Sequence, residues 1–265
     1  MRCKFCFATF DDLNAVSQDN EQALKIVRAL AEYGFRKITF AGGEPTLWKK
    51  LPELLQEAKN LGMTTMVVTN GWNLMDDVYW ERFKTNLDWL ILSCDSVTEA
   101  CNESSGRVVK GKSMSREDYA GLCNKAKTAG IKLKINTVVS RQNHLDDMTS
   151  FISEVEPLRW KIFKALPVDG QNDKYRGAFE ISDAEYQEYL SRHSAMDEKL
   201  DIVPEDNDAM TGSYVMVSPE GTFFDNTKKK HTYSDPILTV GIEYALSQVS
   251  IDVNKFYDRG GDYSW

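Results

Sequence analysis

Between residues 19 and 168 the chain alternates helical and extended stretches without a break, and this rhythm constrains the fold more than any other feature. Residues 19–33 put Ala23, Ile26, Val27 and Leu30 on one helical face, and Gly34 ends the run. RKITFA (36–41) then reads as a strand, LPELLQEAKNLG (51–62) as a helix and MTTMVVTN (63–70) as a strand. DDVYWERFKTN, REDYAGLCNKAKTAG and DMTSFISEVE read as helices; LDWLILSCD, IKLKINTVV and RWKIFKAL read as the strands that follow them. Strands joined one by one through helices predict a parallel α/β sheet or barrel with right-handed crossovers. After about residue 168 the rhythm loosens. VDGQNDKYRG is a polar loop and 182–194 is helical. SYVMV and TFFDN flank PEG as a hairpin, TVGIEYALSQV is a last helix, and the chain ends in RGGDYSW. We read one domain, a barrel core over 1–168 and an irregular extension over 169–265 that closes over the site.

The strands themselves carry a second signal. Ile131, Leu133, Ile135 and Thr137 share one face of their strand, and Lys132, Lys134 and Asn136 share the other. Lys37 alternates with Ile38, and Lys161 with Trp160 and Ile162. Strands buried on both faces should be continuously apolar. The simplest account has an apolar face under the helices and a polar face lining a cavity, with Lys37, Lys134 and Lys161 pointing into one lumen. Ammonium groups gathered out of water are costly unless an anion joins them, and a triphosphate would balance them. Any one of these lysines could instead sit on a solvated face.

Charge and composition narrow the partners. Lys+Arg 32 against Asp+Glu 40 leaves a formal net charge of −8, which argues against a nucleic-acid binder and makes a local group of cations informative. No apolar run approaches a membrane span, and the charged start leads us to expect no leader peptide. A cytoplasmic, reducing compartment is expected, where paired cysteines point to metal or redox chemistry. Cys3-Lys-Phe-Cys6-Phe is such a pair. Alone it fits a zinc half-site or a thioredoxin-type pair as well as a cluster. Cys94, Cys101 and Cys123 read as ordinary thiols, and His144, His193 and His231 as loop or surface residues. Lys228-Lys229-Lys230-His231 reads as a solvated loop, or else as a basic lid over phosphates.

Ala41-Gly42-Gly43-Glu44-Pro45 directly follows the strand RKITF. C-x-x-C-F followed by a helix and strand-GGEP resembles the radical S-adenosylmethionine (SAM) superfamily. CxFCF, KITFAGGEPTL, VVTNG, LILSCDS, KLKINTVV, RWKIFKAL, SYVMV and the closing RGGDYSW together resemble its viperin-like nucleotide dehydratase family, over residues 3–265. The resemblance implies a partial (β/α)6 barrel, a 4Fe-4S cluster and SAM as cofactors. It implies conversion of a nucleoside triphosphate, CTP first and UTP second, to its 3′-deoxy-3′,4′-didehydro analogue, a chain terminator suited to antiviral defence. Cys3 and Cys6 match the second and third cluster cysteines; the first is expected four residues before Cys3, upstream of Met1, together with the strand leading into the loop. Gly42, Gly43 and Glu44 match the segment that binds the SAM methionine. Thr69, Asn70, Ser93 and Asp95 fall where SAM ribose and adenine contacts belong.

The resemblance also assigns Lys37, Arg107, Lys134, Asn136 and Lys161 to the nucleotide. Arg107 lies in a Gly-containing basic loop suited to phosphate oxygens. Tyr214 and Asn226 are expected to close over the substrate, and Lys134 and Tyr214 are the candidate general acids. An electron donor such as a flavodoxin or ferredoxin and a monomeric state are implied. Two alternatives remain open: another radical SAM activity such as peptide or cofactor maturation, and a nucleotide-binding remnant without a cluster. Three lumen lysines disfavour the first, and an upstream cysteine would exclude the second.

Overall fold

The computed structural model describes residues 1–13, 19–196 and 200–265. All five expected strands form: β1 (Lys37–Phe40), β2 (Thr64–Thr69), β3 (Trp89–Ser93), β4 (Lys132–Val139) and β5 (Arg159–Lys164). A sixth, β6 (Asp201–Glu205), joins them beyond residue 168, so the expected core boundary falls inside the sheet. The strands pair in chain order, every neighbour parallel, as an open barrel with β1 and β6 at its edges. β6 escapes notice in the sequence because Pro204 sits in a five-residue run. At a sheet edge its missing N–H costs no ladder bond.

The helices that complete the crossovers are α1 (Asn20–Tyr33), α2 (Leu51–Asn60), α3 (Asp77–Phe83), α4 (Glu99–Ser105), α5 (Arg116–Thr128) and α6 (Thr149–Val155). α1 starts where the Asp19 carboxylate accepts from the Glu21 amide and stops at Gly34, whose φ of 112° suits only glycine. Ser115 and Asp118 form a reciprocal capping box on α5. α4 was not foreseen, because its polar sequence EACNESS lacks an apolar stripe.

Alternate strand residues go to opposite sides, as the pattern required. Leu90, Leu92, Leu133, Ile135, Trp160 and Ile162 enter the main core under the helices. The residues between them face the lumen. Beyond the barrel, β7 (Met216–Val217), β8 (Thr222–Asp225) and β9 (Thr232–Pro236) form an antiparallel sheet. The expected last helix breaks at Gly241 (φ 82°) into two short turns of helix. The C-terminal segment ends against the lumen: Tyr263 and Trp265 pack on Met66, Trp89 and Ile91, near the starts of β2 and β3. No helix among the described residues is long and apolar enough to cross a membrane.

Candidate active site

Strand register lines up the lumen charges in two rows. Lys134 is paired with Arg159, and Arg159 with Asp201; one step along, Ser93, Asn136 and Lys161 are neighbours. Lys134 and Lys161 are only 6% and 5% exposed. Lys134 Nζ donates to the Tyr263 hydroxyl at 3.2 Å, and Lys37 Nζ lies over the Tyr263 and Trp265 rings at 4.8 and 4.1 Å. Arg159 covers the other part of Tyr263 at 4.1 Å. Lys161 donates to the Tyr214 hydroxyl at 2.8 Å and pairs with Glu205, to which Tyr214 also donates. Arg259 lies 3.3 Å from Glu205 and stacks on the Tyr214 ring at 3.7 Å.

Five cations thus face three carboxylates: Glu205 at 0% exposure, Asp201 at the rim, which pairs with Arg159, and Asp262, which acts on Lys37. The surplus is felt as proton affinity. Burial, reinforced by Lys161, Arg159 and Lys37, pulls Lys134 down to about 6. Burial and the two arginines pull Lys37 to about 8. Lys161 also falls to about 8, burial outweighing Glu205. Asn136 Oδ1, Arg159 Nε and Arg259 Nε are buried without a partner among the described residues. A buried surplus of charge with unused polar atoms is a seat for an anion.

A second group lies at the C-terminal ends of the strands, where α/β barrels carry their chemistry. Gly42 (φ 117°) and Gly43 follow β1 with nothing within 4 Å of an added Cβ, so their backbone is open to a ligand. Glu44 is not open. Its Oε1 accepts from Thr46 N, Thr46 Oγ1 and Thr69 Oγ1 at 3.1, 2.6 and 2.7 Å, and its Oε2 from Asn70 N at 2.8 Å. Thr69 Oγ1 accepts from Gly71 N, and Asn70 Oδ1 from Trp72 N. Glu44 and Thr69 therefore shape the ledge rather than reach from it. Replacing Glu44 by Ala leaves buried donors unmet and should cost roughly 2–4 kcal/mol. Denaturant unfolding reads the loss; an unchanged value would show that the ledge holds without it.

The Cys3–Cys6 loop is anchored from three sides. Lys4 N donates to Ser105 O at 2.9 Å, Asn172 Nδ2 to Phe5 O at 2.9 Å, and Phe5 packs on Ala165 and Phe179. Gly106 (φ 84°) must be glycine, since a Cβ there would lie 2.6 Å from Arg2 O. Both thiols are free. Burial pushes them up, and the Arg107 guanidinium pulls them partly back. Their placement and cationic neighbour fit two thiolate positions of an iron–sulfur cluster. Among the described residues no group of three His, Cys, Asp or Glu converges as a complete metal site.

The structure separates some of the expected ligands from the lumen. Arg107 does not join the lysines. It is buried against Asp95, donating from Nε to Oδ2 at 2.5 Å, while Asp95 Oδ1 accepts from Val138 N at 2.9 Å. Each group satisfies the other, beneath the cysteine loop. Asn226 is likewise occupied: its Oδ1 accepts from Gly212 N and its Nδ2 donates to Met210 O, tying down the segment that leads to Tyr214. Lys37, Lys134, Asn136, Lys161 and Tyr214 do converge, and Ser93 borders them through Asn136. Arg159, Glu205, Arg259 and Tyr263 were missed. Arg159 shares the parity of Lys161 and could have been found. His193 and His231 are buried, at 1% and 6% exposure, contrary to the surface reading.

Residues 1–155 match the model of the Radical SAM superfamily. The whole chain is 49% identical to an S-adenosylmethionine-dependent nucleotide dehydratase of Lacinutrix mariniflava, of which it spans 56%. It is 44% identical to one of Flammeovirga pacifica, of which it spans 92%. Among solved structures, anSMEcpe with bound AdoMet aligns at a TM-score of 0.66 and 16% identity, over 97% of this chain and 78% of that one. SuiB of Streptococcus suis bound to S-adenosylmethionine aligns at 0.57 and 19% identity, over 84% and 56%. At those identities the likeness speaks for the fold alone.

Proposed function

The chain belongs to the radical SAM superfamily and, within it, to the S-adenosylmethionine-dependent nucleotide dehydratases, and on that premise we propose that it removes water from the ribose of a nucleoside triphosphate. The observation that carries this reading is the buried surplus of cations around Lys134, which a triphosphate neutralises and a peptide does not. The chemistry that a 4Fe-4S cluster and SAM supply when bound is one-electron, a 5′-deoxyadenosyl radical able to take hydrogen from C4′.

The chain's own residues do the rest. Cys3 and Cys6 are the thiolates offered to the cluster, and the open backbone of Gly42 and Gly43 receives the methionine end of SAM. Lys37, Lys134, Arg159 and Lys161 grip the phosphates, and Asn136 Oδ1 takes a donor of the nucleotide. That grip fixes the ribose between the phosphate seat and the SAM ledge, which supplies the orientation a radical step needs. Tyr214, whose proton is held firmly by burial and Glu205, is the proposed acid for the departing 3′-hydroxyl, with Lys161 able to restore its proton. Tyr263 and Trp265 close the far end of the lumen against water. We assign CTP as the first substrate and UTP as the second, a low-potential electron carrier as partner, and a role in antiviral defence through chain-terminating product.

The test is anaerobic: the full-length protein, with the cysteine expected upstream of Cys3, loaded with iron and sulfide and given SAM, dithionite and each triphosphate in turn. We expect 5′-deoxyadenosine together with a nucleotide lighter by one water. No 5′-deoxyadenosine above background with any triphosphate would refute the reading.

A further inference from the structure

We propose that the lysine tip between β8 and β9, Lys228-Lys229-Lys230, is the docking site for an acidic electron-carrier protein; the proposal rests on the function above. Four observations support it. All three lysines are exposed, and none is within ion-pair distance of a carboxylate among the described residues, in a chain of net charge −8. Of the neighbouring acids, Asp169 pairs with Arg176 at 2.9 Å, whereas Asp12 accepts only from the neutral Tyr233 and Gln171, at 2.8 and 2.6 Å, and keeps its charge. Three lysines against that one carboxylate still leave the tip a local positive excess in a negative protein.

Lys229 also holds φ at 62°, a left-handed conformation where glycine or asparagine is the ordinary choice. Keeping a lysine there retains charge at the expense of backbone ease, a pattern found at functional positions.

The third observation is connection to the cluster loop. Asp169 N donates to Lys229 O at 2.8 Å. Two residues on, Gln171 Oε1 accepts from Phe10 N at 2.7 Å, and Asn172 holds Phe5 O. His231, next to the tip, packs on Phe10 with ring centroids 5.6 Å apart. The lysines therefore stand beside the loop that carries Cys3 and Cys6.

The fourth observation excludes the phosphate lid. The lumen cations lie toward the other end of the strands: Lys37 and Arg159 begin β1 and β5, and Lys134 and Lys161 are third in β4 and β5. Five residues of β4, roughly 16 Å, separate Lys134 from Val139. The tip joins the chain that follows β5, at the opposite end. Its charge faces a partner, not the substrate. A small acidic carrier fits: charged rims steer such encounters and set their salt dependence. On docking, the carrier gives up one electron to the bound cluster.

The experiment titrates oxidised flavodoxin into the full-length wild-type protein, with the cysteine expected upstream of Cys3, and into its Lys228→Ala/Lys229→Gly/Lys230→Ala variant, metal-free and reconstituted. Glycine suits the turn, so the fold is kept. Lys25→Ala/Lys84→Ala/Lys127→Ala, on outer helices, is the charge-matched control. We expect the tip variant to lose roughly tenfold in affinity with a shallower salt dependence, and the control to bind as wild type. With dithionite the tip variant should turn over like wild type; with reduced flavodoxin it should be slower. Equal binding of flavodoxin by tip variant and wild type overturns the proposal, as does loss of binding to phosphatidylserine vesicles but not to flavodoxin. Absence of turnover by wild type with dithionite would instead be the failure of the dehydratase reading.

Discussion

Arg107→Met should destabilise the protein by about 3–5 kcal/mol, because it leaves a buried carboxylate without its counter-ion. Asp95 is 3% exposed and Arg107 5%, so water cannot take the place of the lost partner. Burial already pushes the Asp95 carboxyl up, and Arg107 brings it only part of the way back. Without Arg107 its folded-state proton affinity rises further above the unfolded value. A raised carboxyl stabilises the fold at low pH and loses that contribution as pH rises through it. The defect should therefore be larger at pH 8 than at pH 5. Asp95→Leu/Arg107→Met, which removes both charges, should recover a large part of the loss in a double-mutant cycle. Urea unfolding of the four proteins measures it. A single variant within about 0.5 kcal/mol of wild type would show that the pair is not a support of the cysteine loop. Arg107 also draws the Cys3 thiol down, so the variant's Cys3 should react more slowly with a maleimide at neutral pH.

Lys134→Met is expected to act in two opposite directions. It removes one of five crowded cations from a place where burial and like charges hold its proton affinity at about 6. The empty protein should become more stable, since folding no longer has to strip the proton from a buried lysine that keeps it in the unfolded chain. Triphosphate binding should weaken by roughly 10- to 100-fold, the worth of one charge-assisted hydrogen bond. Inorganic tripolyphosphate should raise the melting temperature of the wild type by several degrees at saturation and that of the variant by much less. Gain of stability with loss of ligand is the pattern of a residue kept for function. A variant that loses stability and keeps its affinity would place Lys134 among the structural residues.

The lumen was legible because strand parity is strict. Once Trp160 and Ile162 are assigned to the core, Lys161 has only the lumen to face, and the same holds for Lys134 beside Leu133 and Ile135. Glu205 was not legible. It sits on β6, where Pro204 hides the strand, and nothing local marks its carboxylate as the counter-ion of Lys161 and Arg259. Arg107 shows the limit of a motif. A basic residue in a glycine-containing loop suggests phosphate, yet its nearest anion is Asp95, twelve positions earlier in the chain, which only the fold brings close. Asn226 fails in the same way, since its amide is used within the loop that leads to Tyr214. His231 looked like part of a solvated lysine run. The turn that exposes the lysines folds the histidine under, against Phe10 and Phe224.

The claim on which the rest depends is that the lumen is a triphosphate seat held short of protons while empty. Lys134 near 6 and Lys37 and Lys161 near 8 are partly neutral at pH 7.5. An arriving triphosphate raises all three, so binding must take up protons and weaken as pH climbs past 8. Calorimetric titration of CTP at pH 7.5 in two buffers of different ionisation enthalpy measures that uptake. The account predicts about one proton or more taken up per CTP bound, reduced in Lys134→Met, and no such exchange with cytidine. CTP binding with no proton uptake, or cytidine binding as tightly as CTP, would contradict it.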